Sequence, residues 1–489
     1  MRIVVDMQGA QTQSAYRGIG RYVISLLQAL LRNSTKHEIV LILNSSFSDM
    51  IEPIRAAFDD LLPQDKIRIC FLPNRVSYNY PKNIKRRKVA EQLWHAFIES
   101  LCPDIFLLAS PFEGFLDDAV SSFDSAQNSF KTVVIVYDLI PLIFSKHYLK
   151  NDRLYKLFYM EKMKKLIKSD AILTISESSK NDISNLLNLD SSQITNISAA
   201  CDPIFKPLRM SSEEIHAFES ELGIRRSFIL YTGGADFRKN LPAMIQTFAN
   251  LPYELRSKYQ LVITGQIEES IIDHFKTITH SSNLLIDEVL YLGHVSNAQL
   301  CKLYNLCEVY FFPSLYEGFG LPILEAMSCD APVIASRVSS LPEIISHDDA
   351  MFDPSNENDM LSKLTHVLTD SIFRETLIKN GRKQLKKFSW DSVAVSTLRV
   401  FEKIKYDPHQ PIKNILEFQQ KNICKLIEDI SISSSKLDDE DLKDIAACIA
   451  LNHPQRNSKK IFVDISELVN RDAATGIQRV TRNILYQLL

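Results

Sequence analysis

Two carboxylates, two adjacent cations and a scarce set of glycines hold the chemistry this sequence offers. Glu317 and Glu325 bracket one turn, with seven residues between them. The stretch from Tyr310 to Ala335 reads as a buried strand, a glycine loop, a helix and the next buried strand. Backbone N–H groups of Gly318, Phe319, Gly320 and Leu321 open that helix. Free donors and the positive dipole end suit a phosphate there. Pro322 fits the first helical turn, where its missing N–H is not needed. Arg238 and Lys239 lie in the loop after another strand. Together they would neutralise a diphosphate, Arg through its planar fork and Lys as a point charge. Glu325, about a turn into the helix, is placed to accept two hydrogen bonds from a ribose diol. Glu317, in the loop, is nearer a reacting centre. Singly, the cations read as a solvated pair and Glu325 as an exposed helix carboxylate. At matching strand ends they describe a site for a nucleotide-linked donor.

Asp138 ends a strand at Tyr137-Asp138-Leu139. It either faces a cleft outside the strand's carboxyl end or caps the next turn. Glycine is scarce: 13 of 489 residues, against a usual ~7%. Three pairs stand at strand-to-helix turns, Gly18 with Gly20, Gly233 with Gly234, and Gly318 with Gly320. Positive φ or a close backbone approach to a ligand would explain them, though any one pair is equally an ordinary tight turn.

The elements behind these residues alternate. Apolar strands are expected at 2–6, 38–43, 66–71, 104–108, 131–137, 170–175 and 193–197, with helices between. The pattern lapses at 199–208, between Pro203 and Pro207, which reads as a hinge. It restarts with strands at 228–232, 260–264, 289–292, 308–312 and 332–335. Alternation of this kind implies parallel sheets covered on both faces. The division expected is a first α/β domain at 1–200, a second at 201–388, a helix at 389–406, a polar helical spacer at 407–458, and a further segment at 459–489. That last segment repeats the first thirty-one residues without gaps at an offset of 458: Asp464 falls on Asp6, Gly476 on Gly18, Ile477 on Ile19 and Arg479 on Arg21. A second copy of the first βα unit begins there, so the natural protein is expected to continue into another module.

Composition excludes several classes. A net charge of −3 gives no case for nucleic acid binding. No apolar run approaches the roughly 20 residues of a membrane span. The eight cysteines form no CxxC pair and read as buried free thiols in a reducing compartment, not as a metal site. Basic stretches at Lys85-Arg86-Arg87-Lys88 and Lys150–Lys168 suit anionic lipid or a lipid-diphosphate acceptor, or are solvated helix faces.

The segment EGFGLPILEA resembles the E-x7-E signature of the retaining glycosyltransferases of family 4. YTGGADFRKN is similar to their donor-phosphate loop, SESSKND to their interdomain segment, and MRIVVDMQGA with YRGIGRY to their N-terminal loop. The resemblance covers residues 1–405 and is nearest to bacterial O-antigen mannosyltransferases that carry several modules in one chain. It implies the GT-B fold, two Rossmann-like domains facing across a cleft. It implies retaining transfer from a nucleotide sugar, with GDP-mannose the expected donor, no metal cofactor, and an oligosaccharide or lipid-linked glycan as acceptor. Arg238 and Lys239 would bind the diphosphate and Glu325 the ribose. Glu317 would meet the donor sugar and stabilise charge at its anomeric carbon. Gly18 and Gly20 would let the first domain's backbone approach phosphates and acceptor. Where many relatives have His-Asp, this chain has Tyr137-Asp138. A phenol with a pKa near ~10 is no base at neutral pH, so Tyr137 is expected only to position a sugar hydroxyl. The expected location is cytoplasmic, peripheral on the inner face of the membrane. A non-catalytic sugar-binding module and a nucleotide-sugar epimerase of the same fold are the alternatives.

Overall fold

The computed structural model describes residues 1–122, 130–285, 287–404, 424–430 and 437–453. Two parallel sheets organise them. The first contains Arg2–Asp6 (β1), Glu38–Asn44 (β2), Ile67–Cys70 (β3), Ile105–Leu108 (β4), Lys131–Val136 (β5), Ala171–Thr174 (β6) and Ile194–Asn196 (β7). Their order is β3-β2-β1-β4-β5-β6-β7. The second contains Ser227–Thr232 (β8), Tyr259–Thr264 (β9), Val289–Gly293 (β10), Val309–Phe312 (β11), Val333–Ser336 (β12) and Met351–Phe352 (β13). Their order is β10-β9-β8-β11-β12-β13. In β1, Val5 lies opposite Leu41 on one side and Leu107 on the other. In β11, Tyr310 lies between Leu230 and Val333. The strands are nearly continuous apolar runs, VLIL in β2 and VYFF in β11, because helices bury both faces of each sheet.

Each sheet reverses its strand order once, between β1 and β4 and between β8 and β11. Ligands of such doubly wound sheets bind outside the carboxyl ends at these switch points. In the second sheet the two loops leaving the switch point are 233–240 and 313–320. They carry Arg238, Lys239 and Glu317. The short β13 has too few residues to show a hydrophobic period.

The crossing between sheets is packed, with Ala199, Ala200 and Phe205 buried. Trp390 pins it, its indole N–H donating to the Cys201 carbonyl at 3.2 Å. The helix Trp390–Lys403 lies back along the first domain's helix Gly18–Asn33. Trp390 meets the Tyr22 ring edge-on at 5.2 Å, and Asn33 donates to Asp391 at 2.8 Å.

The polar stretch expected as a spacer behaves otherwise in its described parts. Residues 424–430 and the helix Asp439–Asn452 pack onto the first domain. Leu426, Ile430, Ile445 and Cys448 join a core with Val40, Ile42, Val89 and Leu93. Burying such side chains contributes about 1.5–3 kcal/mol each before ordering entropy is subtracted. Arg86 forms an ion pair with Asp441. The Asn452 amide accepts from Phe71 N–H at 2.7 Å and donates to Phe71 carbonyl at 2.8 Å, just beyond β3. This continues the ladder at a sheet edge that would otherwise be open. The helix reads as solvated because its first turn is Asp438 to Asp441 and most of its surface is exposed. The repeat at 459–489 lies outside the described residues.

Candidate active site

Glu317 is the centre of a buried ion cluster. It is 8% exposed. Lys239 Nζ donates to Oε1 at 2.5 Å and Arg238 Nη1 donates to Oε2 at 2.8 Å. Ser314 Oγ adds a third donor at 2.7 Å. Burial pushes the Glu317 carboxyl up, but Lys239 and Arg238 outweigh it and hold the group below its ordinary value. Burial pushes the Lys239 ammonium down, only partly offset by Glu317. Arg238 feels the same burial, and Glu317 holds it above its ordinary value. The carboxylate therefore stays ionised and fixes two cations side by side. Each keeps further N–H donors, since a guanidinium has five and an ammonium three.

The loop that presents Glu317 is pinned from several directions. Glu317 N–H donates to Ser339 Oγ at 2.9 Å, and Ser340 Oγ donates to the carbonyls of Glu317 and Phe319 at 3.0 and 2.5 Å. Gly320 precedes the helix Leu321–Ser328 at φ +124°, and no side chain caps that helix. A Cβ on Gly320 would stand 2.9 Å from Leu341, so glycine is needed for φ and for space. Phe319 turns into the core and meets Phe388 edge-on at 5.9 Å, which leaves only its backbone to a ligand.

Glu325 points the other way along that helix and is 4% exposed. Tyr304 OH donates to Oε2 at 3.0 Å, and Thr232 Oγ1 lies 2.9 Å from that phenol. Arg21 of the first domain lies 3.1 Å from Oε1. Burial pushes the Glu325 carboxyl up, and Arg21 opposes the push.

The carboxyl end of the first sheet closes over this loop. Ser176 Oγ donates to the Gly318 carbonyl at 2.7 Å, and Ser179 Oγ donates to Gly318 at 3.1 Å and to Tyr137 at 2.8 Å. Glu343 accepts from Glu177 and Ser178 N–H at 2.9 and 2.8 Å, capping the first domain's helix from the second. Tyr148 OH reaches both oxygens of Asp236, at 2.7 and 2.8 Å. A Cβ on Gly318 would lie 3.0 Å from Asp138 Cβ, Asp138 Oδ2 and the Tyr137 carbonyl. Close approach between domains, with no positive φ, is what requires that glycine. Asp138 does both things expected of it. Its Oδ1 accepts from Ile140 N–H at 3.0 Å, while Oδ2 lies toward the Gly318 loop. Burial pushes its carboxyl up.

Residues 212–384 match the family model of glycosyl transferases, group 1. Over its full length the chain is 32% identical to the serotype-specific mannosyltransferase WbdA of Escherichia coli, spanning 58% of that protein. It is 27% identical to O-antigen chain mannosyltransferase B of Escherichia coli, over 79% of this chain and 96% of that one. Residues 212–384 are thus similar to the group 1 glycosyltransferases, and the chain spans little more than half the length of the first relative. Sucrose-phosphate synthase from Thermosynechococcus elongatus shares the fold of this chain at a TM-score of 0.62 and 19% identity, over 83% of this chain and 99% of that one. The lipopolysaccharide-biosynthesis glycosyltransferase WaaG does so at 0.56 and 14%, over 82% and 100%. These structures are GT-B glycosyltransferases, and the two facing Rossmann-like domains seen here are that arrangement.

Most of the site expected from the sequence comes together around Gly318. Arg238, Lys239, Glu317, Gly318, Gly320, Leu321 and Asp138 face one another, and Glu325 stands beside them with Arg21. Gly18 approaches them as well, since a Cβ there would lie 3.6 Å from Leu321. Two assignments change. Gly20 is small for a local reason, because a Cβ would sit 2.4 Å from Ala15 Cα in its own loop. The Tyr137 hydroxyl is buried with no hydrogen-bond partner among the described residues, its ring edge-on to Tyr22 at 5.4 Å. It is not open to a sugar hydroxyl in this arrangement. Glu343, Tyr304 and Ser314 were missed, while Ser176 and Ser179 belong to the SESSKND segment expected between the domains. Their signal is only position: serines at helix starts read as caps, and Ser176 does cap its helix through Ser179 N–H at 2.9 Å.

Proposed function

We propose that this chain transfers a hexose from a nucleoside diphosphate sugar, mannose from GDP-mannose, to a growing polysaccharide acceptor, with retention at the anomeric carbon. The observation that carries the reading is the Glu317 cluster. One buried carboxylate holds Arg238 and Lys239 beside the uncapped N-terminus of Leu321–Ser328, at the switch point and facing Asp138. Charge that builds on the departing diphosphate is met there by two cations and a helix dipole. Glu317, held ionised, lies next to the place where positive charge develops on the sugar. The mannose and polymer parts of the reading draw on relatives named as mannosyltransferases, of which WbdA is longer than this chain.

No metal is needed for this leaving-group chemistry, so a chelator should leave the rate unchanged. Among the described residues no helix is long and apolar enough to cross a membrane. The acceptor reading places the enzyme in the cytoplasm, touching the inner membrane face. Of the basic stretches, Arg86 and Arg87 are used internally, Arg86 on Asp441 and Arg87 on the Val76 and Gly114 carbonyls. Lys162 is buried on Ser121. The exposed cations of these stretches are Lys88, Lys150, Arg153, Lys156, Lys164 and Lys168, and Tyr80, Ile84 and Leu157 are exposed as well. Tyr80, Ile84, Lys88 and Leu157 line one cavity of about 220 Å³. That surface suits a lipid-linked acceptor.

The test is to incubate the chain with GDP-mannose, UDP-glucose and other nucleotide sugars and mannose-terminated oligosaccharides, with and without EDTA. Linkage and anomeric configuration are then read by NMR. Transfer only from another donor overturns the mannose assignment. Donor binding without transfer supports the non-catalytic alternative, and an epimerised free sugar nucleotide the epimerase.

A further inference from the structure

Arg21 stands in the first turn of Gly18–Asn33, in the first domain, yet its partner is in the second. Its Nη1 lies 3.1 Å from Glu325 Oε1, and about a third of the side chain remains exposed. The other carboxylate oxygen takes Tyr304 OH at 3.0 Å. A carboxylate has about four acceptor positions, two on each oxygen. Tyr304 and Arg21 use one on each oxygen. One then remains free on each, which is the pattern a vicinal diol requires.

The charges around Glu325 give Arg21 a second task. Burial favours the neutral acid, and Asp202 pushes the same way. Tyr304 supplies a hydrogen bond and Cys201 no positive charge. Arg21 is the cation that opposes these effects among the described residues. A neutral acid would give up one of the two acceptor positions facing a diol.

The internal repeat is independent of this geometry. Arg479 falls on Arg21, while Thr475, Gln478 and Val480 replace Arg17, Gly20 and Tyr22. A helix has no structural need for arginine at a partly exposed position. The first-turn residues that survive in both copies are the glycine, the isoleucine and this cation.

We propose that Arg21 is a donor-positioning residue. It reaches across the cleft to set Glu325 as a two-point acceptor for the donor's ribose, so the ribose site is complete only when the domains are together. The proposal rests on the reading of Glu325 as the ribose ligand, and the test separates the two.

The probes are GDP and its 2′,3′-dideoxy analogue, titrated calorimetrically against the wild-type chain and the Arg21→Met, Arg21→Lys and Glu325→Gln variants. Circular dichroism checks folding. Losing two hydrogen bonds to a charged group corresponds to about a hundredfold to ten-thousandfold in affinity. The wild type should prefer GDP by that factor, Glu325→Gln should lose most of it, and Arg21→Met should reduce it to within about threefold. Arg21→Lys, which keeps the charge on a shorter reach, should fall between. Because Arg21→Met leaves Glu325 more easily protonated, its preference for GDP should appear only at a higher pH than the wild type's does. An Arg21→Met variant that folds and keeps the full preference at neutral pH overturns the proposal while leaving the ribose assignment standing. A wild type with no preference overturns the ribose assignment itself, and the proposal with it.

Discussion

Replacing Lys239 with methionine keeps most of the side-chain volume and removes one charge. Lys239 Nζ lies 2.5 Å from Glu317 Oε1, with the ring of Phe312 5.3 Å away. Two consequences follow from those contacts. Glu317 loses one cation but keeps Arg238 at 2.8 Å and Ser314 at 2.7 Å, so it is not orphaned. Breaking a buried pair outright costs about 3–5 kcal/mol. With half the compensation retained, about 1–2 kcal/mol of stability should be lost, a drop of a few degrees in melting temperature. Turnover should suffer more. Removing one donor aimed at charge developing in a transition state costs about 10²–10³ in rate, or ~3–4 kcal/mol. Initial rates at saturating donor and acceptor, with melting followed by circular dichroism, read both quantities. A Lys239→Met/Glu317→Gln double variant decides between two accounts. If Lys239 acts only by neutralising Glu317, the double variant should be no slower than Glu317→Gln alone. If it contacts the diphosphate, the double variant should lose a further tenfold or more. A folded Lys239→Met chain within threefold of wild-type turnover refutes the reasoning.

Three further outcomes are expected. Gly318→Ala places a methyl group 3.0 Å from Asp138 and the Tyr137 carbonyl. It should wedge the domains apart and cut turnover at least tenfold, with melting of either domain little changed. Asn452→Ala removes both hydrogen bonds to Phe71. It should cost about 1–3 kcal/mol locally and raise hydrogen exchange across 439–453 and β3, with sugar transfer intact. Asp6 is buried and its carboxyl is pushed up to about 7 by that burial, against hydrogen bonds from Gln8. Glu113 adds to the rise, and Lys162 opposes it. The unfolded chain releases this proton near ~4. Stability is therefore undiminished below that value, falls as pH rises from about 4 to about 7, and stays reduced above. Asp6→Asn should lack that component and melt higher than wild type at pH 8, by about 1–3 kcal/mol, but equally at pH 4.

The sheets were legible in the sequence because parallel strands buried on both faces leave unbroken apolar runs. IFLL of β4 and FILYT within β8 carry no other plausible reading. What escaped was held by single side chains. β13 is two residues, Met351 and Phe352, with no period to detect. The Asp439–Asn452 helix hides its attachment behind an acidic first turn. Its decisive residue, Asn452, acts on the backbone of Phe71, 381 positions away. No local pattern marks an asparagine that will serve as a strand.

The site divides in the same way, and the division follows from where each partner comes from. Glu317, Arg238 and Lys239 were legible because they belong to the two loops at one switch point, so topology alone brings them together. Of the residues that hold the domains in register, Ser176 and Ser179 were legible only as a segment, SESSKND, and none by contact, because each has a sufficient local role. Ser176 caps its own helix and also donates to Gly318, and Glu343 reads as one more carboxylate of a short helix until it meets Glu177 and Ser178. Tyr137 shows the opposite error. Its place beside Asp138 suggested contact with substrate, but the ring packs edge-on against Tyr22, which itself meets Trp390 edge-on. A phenol ending a strand goes where apolar area can be buried unless a partner holds its hydroxyl out, and no such partner is found for Tyr137 among the described residues. Sequence order reports which groups share a loop. Which of them face the substrate is decided by the packing of the second domain against the first.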